Sequence, residues 1–140
     1  MIFKSKDGAE VSQNPQAIIA GANMTLVEDG EGTVTVKADE AIVSAVSNGT
    51  TAVSVFGSAG LPFAITITGV YLIARDTTAT NITVEAPAST TVCTIAKGTT
   101  AGALVGASSL SNTSVPANTN VVIDGSSTGV AQVFITYRPA

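Results

Sequence analysis

The run Gly125-Ser126-Ser127-Thr128-Gly129 has the G-x-S-x-G spacing of a nucleophile elbow, which lifts a serine hydroxyl off the end of a strand. That chemistry needs a strand before the turn, a helix after it and a histidine to take the proton. The sequence contains no histidine, which removes Ser-His-Asp and Cys-His arrangements and histidine metal sites together. Strand-forming residues flank the run on both sides, so a turn between strands is expected. A Ser–Lys dyad built on Lys97 is compatible with composition, but nothing in the spacing places Lys97 near a serine. Lys97, Asp76 and Ser127 are read as surface positions that tolerate substitution. Glu28, Asp29 and Glu31 lack the alternating acidic spacing of a calcium loop and are read as a solvated hairpin tip. After residue 40 the carboxylates are Asp76, Glu85 and Asp124 alone, too few for an assignable acid–base pair of the glycan-hydrolysing kind. A sugar site would want an aromatic platform; there is no Trp, and most of the two Tyr and four Phe lie in apolar strands. The spacing of Gly98, Gly102 and Gly106 matters on a helix, but in this Thr-rich stretch they are loop glycines. No catalytic, cofactor-binding or metal-ligating residue is assigned, and no cofactor is expected.

The elements that hold these residues are strands. Near the start, Asn14-Pro15-Gln16-Ala17-Ile18-Ile19-Ala20-Gly21 carries an N-cap, a Pro at the first helical position and a closing Gly, enough for one or two helical turns. Met24–Val27 and Thr33–Val36 flank a Gly-rich acidic loop and read as a hairpin. Further strands are expected at 41–47, 51–56, 63–74, 80–85, 91–96, 119–124 and 130–137. The segment 98–118 reads as loop, with at most one short strand near Ala103-Leu104-Val105. Alternation puts Phe63, Ile65 and Ile67 on one face, whereas Val70, Leu72 and Ala74 take the opposite parity, so a bulge at Gly69 is needed to keep one core face. Val133 and Ile135 share a face with Tyr137 while Phe134 opposes them, as in a strand covered on both sides. Cys93 shares a face with Thr91 and Ile95 and reads as a small core residue. Seven or eight short strands with turn signals about every ten residues argue for an all-β, jelly-roll-like antiparallel β-sandwich, preceded by an N-terminal arm with a β-hairpin.

Charge marks the boundary between arm and body. Residues 1–40 carry a net charge of −4, equal to that of the whole 140-residue chain, while 41–140 sum to zero. The arm, 1–40, is expected to make attachment or oligomer contacts and the body, 41–140, to be the sandwich. Without a basic cluster nothing supplies the electrostatic attraction that nucleic acid demands. No stretch approaches the length of a membrane-spanning helix, so neither nucleic acid nor membrane is an expected partner. The first residues lack the apolar segment of a signal peptide, and the sequons at Asn23, Asn48, Asn81 and Asn112 are read as chance. A single cysteine excludes an internal disulfide. The expectation is a protein made in a reducing cytoplasm and not secreted. Apolar residues make up 45% of the chain and charged ones 11%, against about 25% charged in an average soluble domain. Such a surface stays soluble through hydroxyls, or is covered by neighbouring copies.

Three runs carry a resemblance: Ile73-Ala74-Arg75-Asp76-Thr77-Thr78-Ala79-Thr80-Asn81-Ile82-Thr83-Val84, Thr94-Ile95-Ala96-Lys97-Gly98-Thr99-Thr100-Ala101-Gly102, and 127–137. Together they resemble a domain of tailed-bacteriophage structural proteins, over most of residues 50–140. The hairpin of 21–36 is similar to a module of phage fibre and appendage proteins. The resemblance implies a non-enzymatic virion accessory protein, located in the virion. Its partners would be itself, as a homotrimer, and the major capsid protein or another virion protein. Capsid decoration or cement is the first reading, and a tail-fibre or receptor-binding component is the alternative.

Overall fold

The computed structural model describes residues 3–4, 10–12, 24–28, 34–38, 40–87 and 89–140. The chain divides into two compact units, Met1–Glu40 and Ala41–Ala140. In the first, β1 (Phe3–Lys4) pairs antiparallel with β2 (Glu10–Ser12), and β3 (Met24–Glu28) with β4 (Val34–Ala38). The second pair is the hairpin that the sequence signals, displaced by a residue or two at its ends; β1 and β2 carry no such signal. The helical turn expected over 14–21 and the acidic tip at Asp29 and Glu31 lie outside the described residues.

The second unit is built from β5 (Ala41–Asn48), β6 (Val53–Ser54), β7 (Ile65–Ala74), β8 (Thr80–Glu85), β9 (Thr91–Lys97), β10 (Leu104–Gly106), β11 (Ser114–Val115), β12 (Val122–Gly125) and β13 (Val130–Pro139). One sheet runs β10-β7-β13-β5, with β11 pairing the start of β7; the other runs β6-β12-β8-β9. Fold the chain back on itself at the β8–β9 hairpin, and β7 meets β10, β6 meets β12 and β5 meets β13. That is one long antiparallel ribbon wrapped into two layers, the jelly roll. All of the described residues outside turns and loops are strand; the fold is all-β.

Alternation explains the layers. Ile65, Ile67, Val70, Leu72, Val133 and Ile135 of one sheet meet Ile82, Val84, Ile95 and Ile123 of the other in a single buried cluster. Burying each such side chain is worth roughly 1.5–3 kcal/mol. The parity conflict in β7 is resolved by a bulge: Thr136 faces Gly69, but Tyr137 faces Ile67, which leaves Thr68 as the extra residue. A Cβ on Gly69 would come within 2.7 Å of Thr136 Oγ1 and 2.9 Å of the Tyr71 ring, so any larger residue must push those side chains aside.

Several expectations need correction. β7 begins at Ile65, and Phe63 is exposed rather than core. Of the strand expected over 51–56 only Val53–Ser54 forms; Val55 N–H still donates to the Val121 carbonyl, and the Phe56 ring meets Tyr137 edge-on with centroids 5.2 Å apart. The segment 98–118 holds two short strands, β10 and β11, not one. Cys93 and Ile95 are buried, but Thr91 is exposed: a bulge at Val92 pairs Thr91 with Glu85 and flips it outward.

Candidate functional site

The residues with chemical potential gather at one end of the sandwich. Lys97 ends β9 on the inward parity of Cys93 and Ile95, and is 2% exposed. Its ammonium donates to Asp76 Oδ1 at 2.6 Å, to the Thr78 carbonyl at 2.6 Å and to the Asp76 carbonyl at 3.1 Å. Asp76 in turn accepts the backbone N–H of Thr78 on Oδ1 and that of Val130 on Oδ2. Its carboxyl is held below the usual range, first by the Lys97 hydrogen bond and next, against the opposing effect of burial, by those two backbone donors. Lys97 is therefore not the surface residue that sequence reading made it. Its inward parity in β9 was the signal.

Ser126 and Ser127 do share a shallow depression of about 310 Å³ with Lys97, Thr80 and Asn81, which spacing could not reveal. Proximity does not make a dyad. All three Lys97 N–H bonds are already donated, so the amine cannot serve as a base. Ser127 Oγ donates to the Ala79 carbonyl, and Ser126 Oγ accepts the Asn81 N–H. The two glycines of the motif are there for close approach: a Cβ on Gly125 would strike the Gly49 carbonyl, and one on Gly129 the Thr78 carbonyl. The run is a tight loop carrying the chain from one sheet to the other, fastened by its own serines. Cys93 is equally quiet, its thiol pushed up to about 11 by burial. Among the described residues no group of three or more His, Cys, Asp or Glu comes together, and no helix is long and apolar enough to cross a membrane.

The two outer faces of the sandwich differ sharply. Over β9, β8 and β12 the outward rows carry Thr94, Thr83 and Asp124, then Thr91, Glu85 and Val122, of which only Val122 is covered. Thr83 and Thr94 bridge hydroxyls at 3.2 Å. This face is dressed for water. The face of β10, β7, β13 and β5 is not. One row reads Leu104, Ile73, Gln132, Val46; the next reads Gly106, Tyr71, Phe134, Ser44; Thr136 and Ile42 form a third. None of these positions is charged, and Ile42 and Leu104 are each 68% exposed, with Val46 at 46% and Tyr71 at 44%. The Tyr71 ring lies along the sheet, over Gly69 and Gly106, where a Cβ would meet it within 3.4 Å. Arg75 and Arg138 stand beyond the two ends of the rows. An apolar centre with charge confined to its rim is the anatomy of a contact surface.

No known protein-family profile matches the chain, and no curated protein matches it in sequence. Among solved structures, a chain from the disulfide-linked pili of Bacillus endospore appendages is similar at a TM-score of 0.42 and 17% identity. The match covers 90% of this chain and 97% of that one. A likeness so loose adds nothing to the reading of this surface, which stands on the residues above.

Sequence reading reached the outward Phe134 and the need for covered surface, but not the face as a whole. Four strands from distant parts of the chain contribute to it, and only their order in the sheet makes them neighbours.

Proposed function

We propose that this chain is a non-enzymatic structural protein that packs against copies of itself and against a larger assembly, specifically a virion accessory that decorates and cements an assembled phage head. The uncharged apolar outer face of the β5-containing sheet carries the reading, because contiguous exposed apolar surface of this kind marks a contact site. The absence of a free base or nucleophile at the Lys97 cluster fits a protein that works by area. So does the jelly roll, a fold shared by capsid and lectin domains, although the fold alone decides nothing. The acidic unit of residues 1–40 would supply attachment contacts.

A cement protein binds the assembled lattice and not its dismantled subunits, so its stabilising effect follows mass action and rises with occupancy. The test compares heat and chelator resistance of particles carrying the protein with particles lacking it. Greater resistance with the protein supports cementing. Equal resistance with loss of host adsorption in its absence would move the assignment to a tail-fibre or receptor-binding role.

A further inference from the structure

The sandwich has four sheet edges, and three are protected. β6 is two residues long, and the β10–β11 lane is broken between Gly106 and Ser114. The β9 edge is engaged at its start by its own loop, as Ser111 N–H donates to the Val92 carbonyl and the Asn112 amide to the Thr91 carbonyl, is bulged at Val92 and ends on the inward-pointing charge of Lys97. The fourth edge, β5, is different. It pairs with β13 in unbroken register from Ala41 to Asn48, and among the described residues no strand pairs with its other side. It holds no charge, no proline and no bulge, the devices by which edge strands are kept from pairing. Its inward-facing Val43 and Ala45 are only half-buried, whereas their partners on β13, Ile135 and Val133, are fully buried. The core is unfinished on this side.

We infer that β5 pairs antiparallel with β5 of a second copy about a two-fold axis at Ser44. Side chains directly opposite in an antiparallel pair lie on the same face. An axis at Ser44 therefore places outward Ile42 opposite outward Val46 of the other copy, twice over, and inward Val43 opposite Ala45. It also sets Glu40 against Asn48, so no like charges meet. Shifting the axis by one residue to Ala45 sets Ile42 against Asn48, losing the apolar match. The strand is self-complementary in one register.

Face-on stacking of two copies is too small to hold a pair by area. With lanes about 4.8 Å apart and a rise of about 3.3 Å per residue, the apolar face of one copy is roughly 300 Å² in plan. A stable pair needs about 800 Å² on each partner, so one such face laid on another falls short. Edge pairing draws instead on a ladder of backbone hydrogen bonds, and joins two apolar faces into one continuous surface of twice the size. An isologous edge also closes after two copies; the three-fold assembly suggested by resemblance would need a second, dissimilar edge. This deepens the self-packing part of the proposed function, and stands whether or not the larger assembly is a phage head.

Sedimentation velocity of the full chain over a wide concentration range tests it, with Ser44→Lys, Ser44→Asp and their mixture. Ser44 is exposed, so both variants fold, which circular dichroism verifies. The wild type sediments as a dimer in equilibrium with monomer. Each variant alone sets like charges face to face and weakens dimerisation more than about tenfold. Mixing the two restores a dimer containing one of each. A wild-type chain that stays monomeric overturns the inference, as does a trimer, or a dimer indifferent to Ser44→Lys. Particle protection by such a monomer would leave the cementing role intact while removing the β5 pair.

Discussion

Lys97 shows how much one residue's parity decides. Its side chain threads from β9 to the Asp76–Thr78 turn and supplies three donors to oxygens that otherwise face the core's end. Lys97→Ala removes three buried methylenes and orphans those acceptors, a loss of about 2–4 kcal/mol on chemical denaturation. Ser127→Ala, by contrast, gives up one hydrogen bond at a half-exposed loop and should cost about 1 kcal/mol or less. Asp76 adds a pH dependence. Its folded-state pKa lies below the ordinary 3.8, chiefly through the Lys97 hydrogen bond. A depressed carboxylate contributes its full stability above the unfolded pKa and loses it as pH falls through the folded value. Thermal stability of the wild type should therefore drop from about pH 4 downward, and more steeply than that of Asp76→Asn, which lacks the ionisation. Parallel curves for the two proteins would show that Asp76 contributes nothing to acid lability.

Among the elements, β7 carries the most information and the most risk. Its parity break at Gly69 was legible because apolar residues sit on alternating positions both before and after it; a bulge was the only way to keep one core. Gly69→Val should disturb this element by driving a side chain into Thr136 Oγ1 and the Tyr71 ring, costing about 1–3 kcal/mol as overpacking does. Ile67→Asp, which buries an unpaired charge, should abolish cooperative unfolding altogether. What the pattern could not give was equally physical. β11 is two residues long, too short for a period to register, and exists because a neighbour's ladder recruits it; the strand expected over 51–56 was legible, but its reduction to the two residues of β6 was not. The bulge at Val92 misled the reading of Thr91, since nothing in Thr91-Val92-Cys93 marks which residue is extra. Strand existence followed from local alternation, while strand ends followed from tertiary pairing.

At the scale of the whole chain, charge and shape are separated: the acidic residues concentrate in 1–40, and the body shows one hydroxylated face and one apolar face. The first of these was readable directly, because charge is a property of the sequence. The second was not, because sheet order decides which outward residues adjoin. The separation predicts two kinds of binding in one molecule. Contacts made by the apolar face should respond weakly to sodium chloride, strengthen in sulfate and bind with a negative heat-capacity change. Contacts made by the acidic unit should weaken as ionic strength rises, since exposed charges more than about 8 Å apart are largely screened at physiological salt. Calorimetric titration of the full chain onto assembled particles at several salt concentrations, beside a chain beginning at Ala41, separates the two. If the apolar face is the principal seat, the shortened chain keeps the heat-capacity signature and loses the salt dependence. A shortened chain that folds but no longer binds would place the anchor in residues 1–40, leaving the apolar face to contacts between copies.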